Sequence, residues 1–277
     1  MPRNRFVKIG LIILCTIGFA SLIEPFLLSA KVLDSPFLSP SSFHILGTDD
    51  LGHDVLQEIL KGARISIVVG LIVGLASAVI GILVGAVAGF SEYADAPLMR
   101  LVDFLLVIPR LPLMIFLALF LKPSFWNVVL ILSVFGWTTT ARAIRPMVKS
   151  LRQTEFVIAA RALGSSELHI LFRHILPHLY SIFAVQFVLE ARLAVAAEAG
   201  LGFLGLEDPT TKSWGLMLAH AFNHEATFVT NAWTWTVLPP AIVLTFFILS
   251  LSLIAVGLES VFNPKLGNLK FPNQTGD

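Results

Sequence analysis

Charge is scarce in this chain. Lys, Arg, Asp and Glu make up 13% of its 277 residues, where an ordinary soluble domain carries about a quarter. The same chain is 56% hydrophobic with a mean hydropathy of +0.84, which excludes a soluble globular domain and points to a multi-span membrane protein. A formal net charge of +1 argues against nucleic-acid binding as the main role. The single cysteine, Cys15, lies in an apolar run, so an intrachain disulfide and a cysteine zinc site are both excluded. Catalytic patterns are missing as well. There is no G-x-x-x-x-G-K-[ST] phosphate loop, no H-E-x-x-H zinc helix and no G-x-S-x-G nucleophile elbow. The seven histidines form no close ligand set by spacing. His174 and His178 are four apart, and a set of His44, Asp49, His53 and Asp54 is the metal-site alternative to a capped surface helix.

Long apolar runs are abundant. Residues 1–29 comprise a basic flank (Arg3, Arg5, Lys8) and an apolar run from Ile9 to Leu28, interrupted only by Glu24-Pro25. We take it as an uncleaved first span rather than a signal peptide, because it is long enough to cross a bilayer. Residues 30–63 are polar, and Thr48 or Asp49 is placed to cap a helix reaching about Lys61. Residues 64–264 hold five further spans. In the second span, Arg64 to Phe90, Gly70, Gly74, Gly81, Gly85 and Gly89 share a narrow arc, suited to close helix packing within the chain or between subunits. The third, Leu98 to Leu121, carries Asp103, Arg110, Pro109 and Pro112, and the prolines predict a kink. The fourth starts at Phe125 and ends near Ala141 to Ile144. The fifth, Leu179 to Leu204, carries Glu190, Arg192 and Glu198; the two glutamates share a side and Arg192 points elsewhere. The sixth runs from about Thr236 to Phe262, before a tail at 265–277. Arg110, Glu190 and Glu198 are ionisable groups inside apolar spans, and so candidates for a translocation path or for structural pairing.

One stretch combines charge, helical periodicity and punctuation. It is Glu155 to Gly164, continued by Ser165 to Pro177 within a loop spanning 142–177. Val157, Ala160, Gly164, Leu168, Leu171 and Ile175 fall at helical spacing. Gly164 predicts a helix stop, Ser165 or Ser166 a new cap, and Pro177 the start of the next span.

Ala159-Ala160, Gly164 and Leu176-Pro177 resemble the EAA loop of permease subunits in ATP-binding-cassette importers. Ile158 stands where the glutamate of that motif falls. His44 to Asp54 resembles the LGTDxLGRD signature of the dipeptide, oligopeptide and nickel branch, with His53 in place of arginine. Leu98 to Asp103 followed by Pro109, and Glu198 through Phe203-Leu-Gly-Leu206 to Trp214-Gly215, resemble the same branch. The aspartate that precedes the family's final Gly-Leu is replaced in Ala255-Val-Gly257-Leu-Glu259. The resemblance covers residues 44–264 in four blocks in the family's order. It implies an all-α type I importer permease of about six transmembrane helices in the bacterial inner membrane. It implies no cofactor and no catalysis on this chain, with ATP–Mg on partner subunits. The implied partners are a homologous second permease, two ATPase subunits and an extracytoplasmic solute-binding protein. The implied cargo is a peptide, nickel, a metal chelate or a related small solute. The residues implied to couple to the ATPase are Glu155, Ala159, Ala160, Arg161, Gly164 and Leu168.

Counting Lys and Arg by segment gives twelve on the side of the 142–177 loop and five on the other, which places both termini and that loop in the cytoplasm. The competing expectation is an autonomous ion-coupled transporter with Asp103, Arg110, Glu190 and Glu198 as a relay. It calls for an inverted repeat, which the sequence does not display.

Overall fold

The computed structural model describes residues 3–27 and 34–262. The expected cytoplasmic tail at 265–277, and with it Lys265 and Lys270, lies outside them, as does Lys31. The helices in chain order are α1 (Arg3–Leu27), α2 (Val55–Phe90), α3 (Glu92–Val107), α4 (Arg110–Phe120), α5 (Phe125–Arg152), α6 (Glu155–Ala162) and α7 (Glu167–His169). A π-helical turn (Ile170–Ile175) and a 3-10 turn (Leu176–Leu179) lead into α8 (Tyr180–Phe203). Then come α9 (Trp214–Asn223), α10 (Glu225–Val229), α11 (Trp233–Thr236) and α12 (Leu238–Phe262). Among the described residues five helical stretches are long and apolar enough to cross a membrane, and the bent pair α3–α4 makes a sixth span.

Several boundaries differ from expectation. The helix expected to end near Lys61 and the span expected to begin at Arg64 are one helix, since nothing between them interrupts the backbone ladder. At 36 residues α2 is about 54 Å long, well beyond a hydrocarbon core of about 30 Å, so its first turns project from the bilayer. Its cap is neither Thr48 nor Asp49 but Asp54, whose Oδ1 accepts the Gln57 N–H at 3.2 Å. Thr48 is instead buried, accepting from Leu38 N–H and donating to Ser35 C=O, both at 2.8 Å. The predicted kink of the third span is an 85° break at Ile108–Pro109, because the residue before proline is pushed out of the helical region. Pro112 sits in the first turn of α4, where its missing N–H costs little. Finally, α5 does not stop near Ile144 but continues to Arg152. The charges that looked like loop form a face that pairs with α3. Asp95 binds Arg145 Nη2 at 2.7 Å and Lys149 Nζ at 2.6 Å, Glu92 binds Arg152 at 3.1 Å, and Asp103 binds Arg142.

The centre of the bundle is α2. A Cβ added at Gly74 would lie 2.9 Å from Ala191 Cβ of α8, and one at Gly89 would lie 2.6 Å from the Arg145 carbonyl of α5. The glycine arc therefore serves close packing within the chain. Outside this core α1 and α12 run antiparallel, with Gly10 against the Ser250 carbonyl. Arg64 ties α1 to α2 through Ser21 C=O at 2.6 Å and Glu24 at 2.6 Å, which explains the acid at the end of the first apolar run. We call the end of the bundle that carries Gly164 the loop end. The opposite end, where Trp214 is fully buried and donates to the Ile59 carbonyl at 3.0 Å, is the cap end.

Candidate functional site

At the loop end the chain makes a tightly specified bend. Glu155 opens α6, where an acid favours the positive end of a helix. The helix closes at Gly164, with φ of +85°. Ser165 N–H bonds the Ala160 carbonyl at 3.1 Å and Gly164 N–H bonds the Arg161 carbonyl at 3.0 Å, the paired bonds of a Schellman stop. Ser166 Oγ then accepts the His169 N–H at 3.3 Å and starts the next turn. Across the bend Arg161 forks onto Glu167, Nε to Oε1 at 2.7 Å and Nη2 to Oε2 at 3.0 Å. Underneath, Val157, Ala160, Leu171 and Ile175 are buried against Ile144 and Val148 of α5 and Phe90 of α2.

The stripe inferred from spacing is thus largely real, with two exceptions. Gly164 is exposed, and Leu168 is 69% exposed and faces away from the core. The left-handed residue resets the helical phase, so a 3.6-residue count cannot be carried across it. On the outer face Glu155 and Ala159 are exposed together with Ile158, Leu163 at 87% and Phe172. Of these last three, Leu163 and Phe172 were not singled out by sequence reasoning, and Ile158 was noted only as the residue in place of the motif's glutamate. Their signal was their position out of phase with the buried stripe. Each is a large apolar side chain left exposed around the bend.

Mid-bundle, Glu190 is buried between α8 and α5. It accepts from Thr139 Oγ1 and lies 3.5 Å from Thr140 Oγ1. Arg110 reaches the same layer from the start of α4, donating to Thr138 Oγ1 at 3.0 Å. Adjacent threonines of α5 therefore bring these two sequence-predicted residues to one polar layer. Glu198 does not join them. It lies toward the cap end with Ser66 Oγ at 3.1 Å. Arg192 points elsewhere, as expected, with Ser252 Oγ of α12 at 3.5 Å. Asp103, paired with Arg142 on a partly exposed face, is in neither cluster, so the four-residue relay is not assembled.

Four of the seven histidines face acids. His44 contacts Asp54 at 3.0 Å and Asp34 at 3.4 Å, and His53 contacts Asp49 at 3.2 Å. His220 and His224 face Asp50 at 3.6 and 3.4 Å. At the loop end His178 stacks on Phe156. Among the described residues no group of three or more such side chains could hold a metal ion.

A helical bundle with a broken span, a buried polar layer and a tightly hydrogen-bonded bend at one end suits a transporter subunit. Residues 77–268 match the model of a family described as the binding-protein-dependent transport system inner membrane component. The chain belongs to that family. A peptide permease protein of Brucella suis is 35% identical over 269 residues, covering 95% of this chain and 88% of its own length. A peptide transport system permease protein of Brucella abortus is 34% identical over 271 residues, covering 96% and 90%. The dipeptide transport system permease protein of Bacillus subtilis is 32% identical over 272 residues, covering 96% and 84%. The family match runs from mid-α2 beyond α12, so the bend, Arg110, Glu190 and Glu198 all fall within it. This family member is a membrane permease component of a transport system. The autonomous ion-coupled alternative finds no support in these likenesses.

Proposed function

We propose that the chain forms half of the translocation pathway of an ATP-binding-cassette importer for peptides, and that its bent loop is the handle gripped by an ATPase subunit. The peptide class is supported by the names of the relatives above, each of which refers to peptide or dipeptide transport. The observation that carries the coupling role is the bend at Gly164. It presents Glu155, Ala159, Leu163 and Leu168 outward on a base fixed by Val157, Ala160, Leu171 and Ile175, and the Arg161–Glu167 fork holds its angle. A rigid handle can transmit a rigid-body push, whereas a floppy one would absorb it.

In this arrangement ATP and Mg²⁺ bind the ATPase subunits and this chain does no chemistry. A second, homologous permease completes the path, and a solute-binding protein delivers cargo at the cap end. Both termini lie on the ATPase side, in keeping with the excess of basic residues there. Arg110 and Glu190 line the path, and closure of the ATPases biases the bundle between two openings.

The test is reconstitution of the assembled transporter with ATP-driven peptide uptake as readout. Arg161→Glu uncouples ATP hydrolysis from uptake, and adding Glu167→Arg restores part of it. Uptake untouched by Arg161→Glu in an intact assembly refutes the handle, as does labelling of Leu163→Cys only from the side opposite the ATPase.

A further inference from the structure

We propose that Glu198 and Glu207 form a buried proton-binding site at the cap end, in which the two carboxyl groups hold one proton between them and so pin the 204–213 loop to α8. The two side chains come together because the chain reverses after α8. Gly205, with φ of +71°, ends the helix, and Leu206 N–H returns to the Leu201 carbonyl at 3.0 Å. Glu207 is thereby laid across Gly202, where an added Cβ would lie 2.7 Å from Glu207 Oε2.

Both carboxyls are out of water. Glu198 is 1% exposed and Glu207 is 4% exposed. One oxygen of each is satisfied, Glu198 Oε2 by Ser66 Oγ at 3.1 Å and Glu207 Oε2 by Ser213 Oγ at 2.6 Å. The other oxygen of each, Oε1, is buried and has no hydrogen-bond partner among the described residues. Both residues line one cavity of about 10 Å³, walled by Ile65, Val69, Phe125 and Val128 and by Asp208 and Thr211 of the loop. That is room for about one water molecule.

Countercharge does not reach the pair from any neighbouring element. On α2 Lys61 is drawn to Glu58 at 3.3 Å and Arg64 to Glu24. On the loop Lys212 binds Glu58 at 2.7 Å, and Asp208 turns its carboxylate to Thr210. α5 contributes only Phe125 and Val128 to the cavity wall. On α9 His220 faces Asp50, and on α8 Arg192 faces Ser252. Two like charges in such a site repel at close range and lack hydration. A single proton turns that repulsion into a hydrogen bond and supplies the donor that the two orphaned oxygens need. Such a pair titrates as a unit. Burial pushes the Glu207 carboxyl up to about 7, against the opposing hydrogen bond from Ser213.

The sign follows from a raised value. Stability from the pair is fully present below the unfolded carboxylate range and is lost as pH rises through about 7. The carboxylates then separate and loop 204–213, which also carries the Ser213 cap of α9, loosens from α8.

The experiment uses the full chain in lipid nanodiscs. Infrared spectra in H₂O and D₂O at about pH 6 and about pH 8.5 bracket the transition. The expected result is a protonated-carboxyl C=O band at the lower pH that shifts in D₂O and fades at the higher pH. The band is lost in a folded Glu198→Gln/Glu207→Gln variant. The melting temperature of the wild type falls by several degrees between the two pH values, and Glu207→Gln removes most of that fall. A wild type without the band overturns the proposal, and this arm needs no variant to fold. So does a band that persists in the folded double variant, or an unchanged fall in Glu207→Gln. A rise in wild-type melting temperature on adding sodium or calcium at the higher pH, absent in Glu207→Gln, makes this a metal-cation site and also overturns the proton assignment.

Discussion

Replacing Gly164 in turn with Asn, Ala and Val isolates the backbone as the cause of the bend. A Cβ at this position meets nothing within 4 Å among the described residues, so packing adds no cost. The φ of +85° does. A left-handed conformation costs an L-residue about 1–2 kcal/mol. Alanine recovers about 0.4–1 kcal/mol of that through a less flexible unfolded chain. The net cost of Gly164→Ala is then about 1 kcal/mol, or roughly fivefold more frequent opening of the bend. Asn tolerates this region and stays near glycine, while the β-branched Val exceeds Ala. Hydrogen exchange of the full chain in lipid nanodiscs reads this directly. The amides of Gly164 and Ser165 are the donors of the two closing bonds, and their exchange follows local opening. The expected order of exchange rates is Gly, then Asn, then Ala, then Val. If Asn is as damaging as Val, bulk rather than φ decides, and the reasoning is refuted. If Ala leaves exchange unchanged, the left-handed turn is not what fixes the bend.

Three further outcomes are expected. Trp214→Phe costs about 1 kcal/mol for the lost bond to the Ile59 carbonyl, and Trp214→Ala costs about 3–5 kcal/mol; equal melting temperatures for the two would contradict the burial of this ring. Gly200→Ala, in open space inside α8, raises stability by about 1 kcal/mol, whereas Gly215→Ala lowers it by about 1–3 kcal/mol because its Cβ would lie 2.3 Å from the Ala199 carbonyl. A reversed order in thermal unfolding would show that the α8–α9 contact is looser than described. Asp95→Asn, which releases Arg145 and Lys149, costs roughly 1 kcal/mol at low salt for these partly exposed pairs and less at high salt; a salt-independent loss would point to packing instead.

The spans and the bend were legible because their signals are local. An apolar run of bilayer length, a glycine stop followed by a serine cap, and a proline after Ile108 each act on their own few residues. What was not legible depends on partners far along the chain. Arg145, Lys149 and Arg152 look like loop residues until α3 supplies Asp95 and Glu92. Leu168 was grouped with the stripe of Val157 and Ala160 because nothing in a helical count registers the phase lost at Gly164. Glu24 looked like a break in a span, and its partner Arg64 lies 40 residues away. Arg110 and Glu190 were found as ionisable residues in apolar runs, but their meeting on successive threonines of α5 depends on the angle of the α3–α4 break. Glu207 was passed over as a loop acid, since only the reversal at Gly205 carries it back over Gly202.

The unbroken course of α5 has a mechanical consequence. Its 28 residues make a rod about 42 Å long, with its foot beside the bend and its head beside the Glu198–Glu207 cavity. Thr138 and Thr139 sit near its midpoint. A small tilt of the rod about that midpoint sweeps both tips through several ångströms while barely disturbing Arg110 and Glu190. The polar layer therefore lies at the point of the rod that such a tilt would move least.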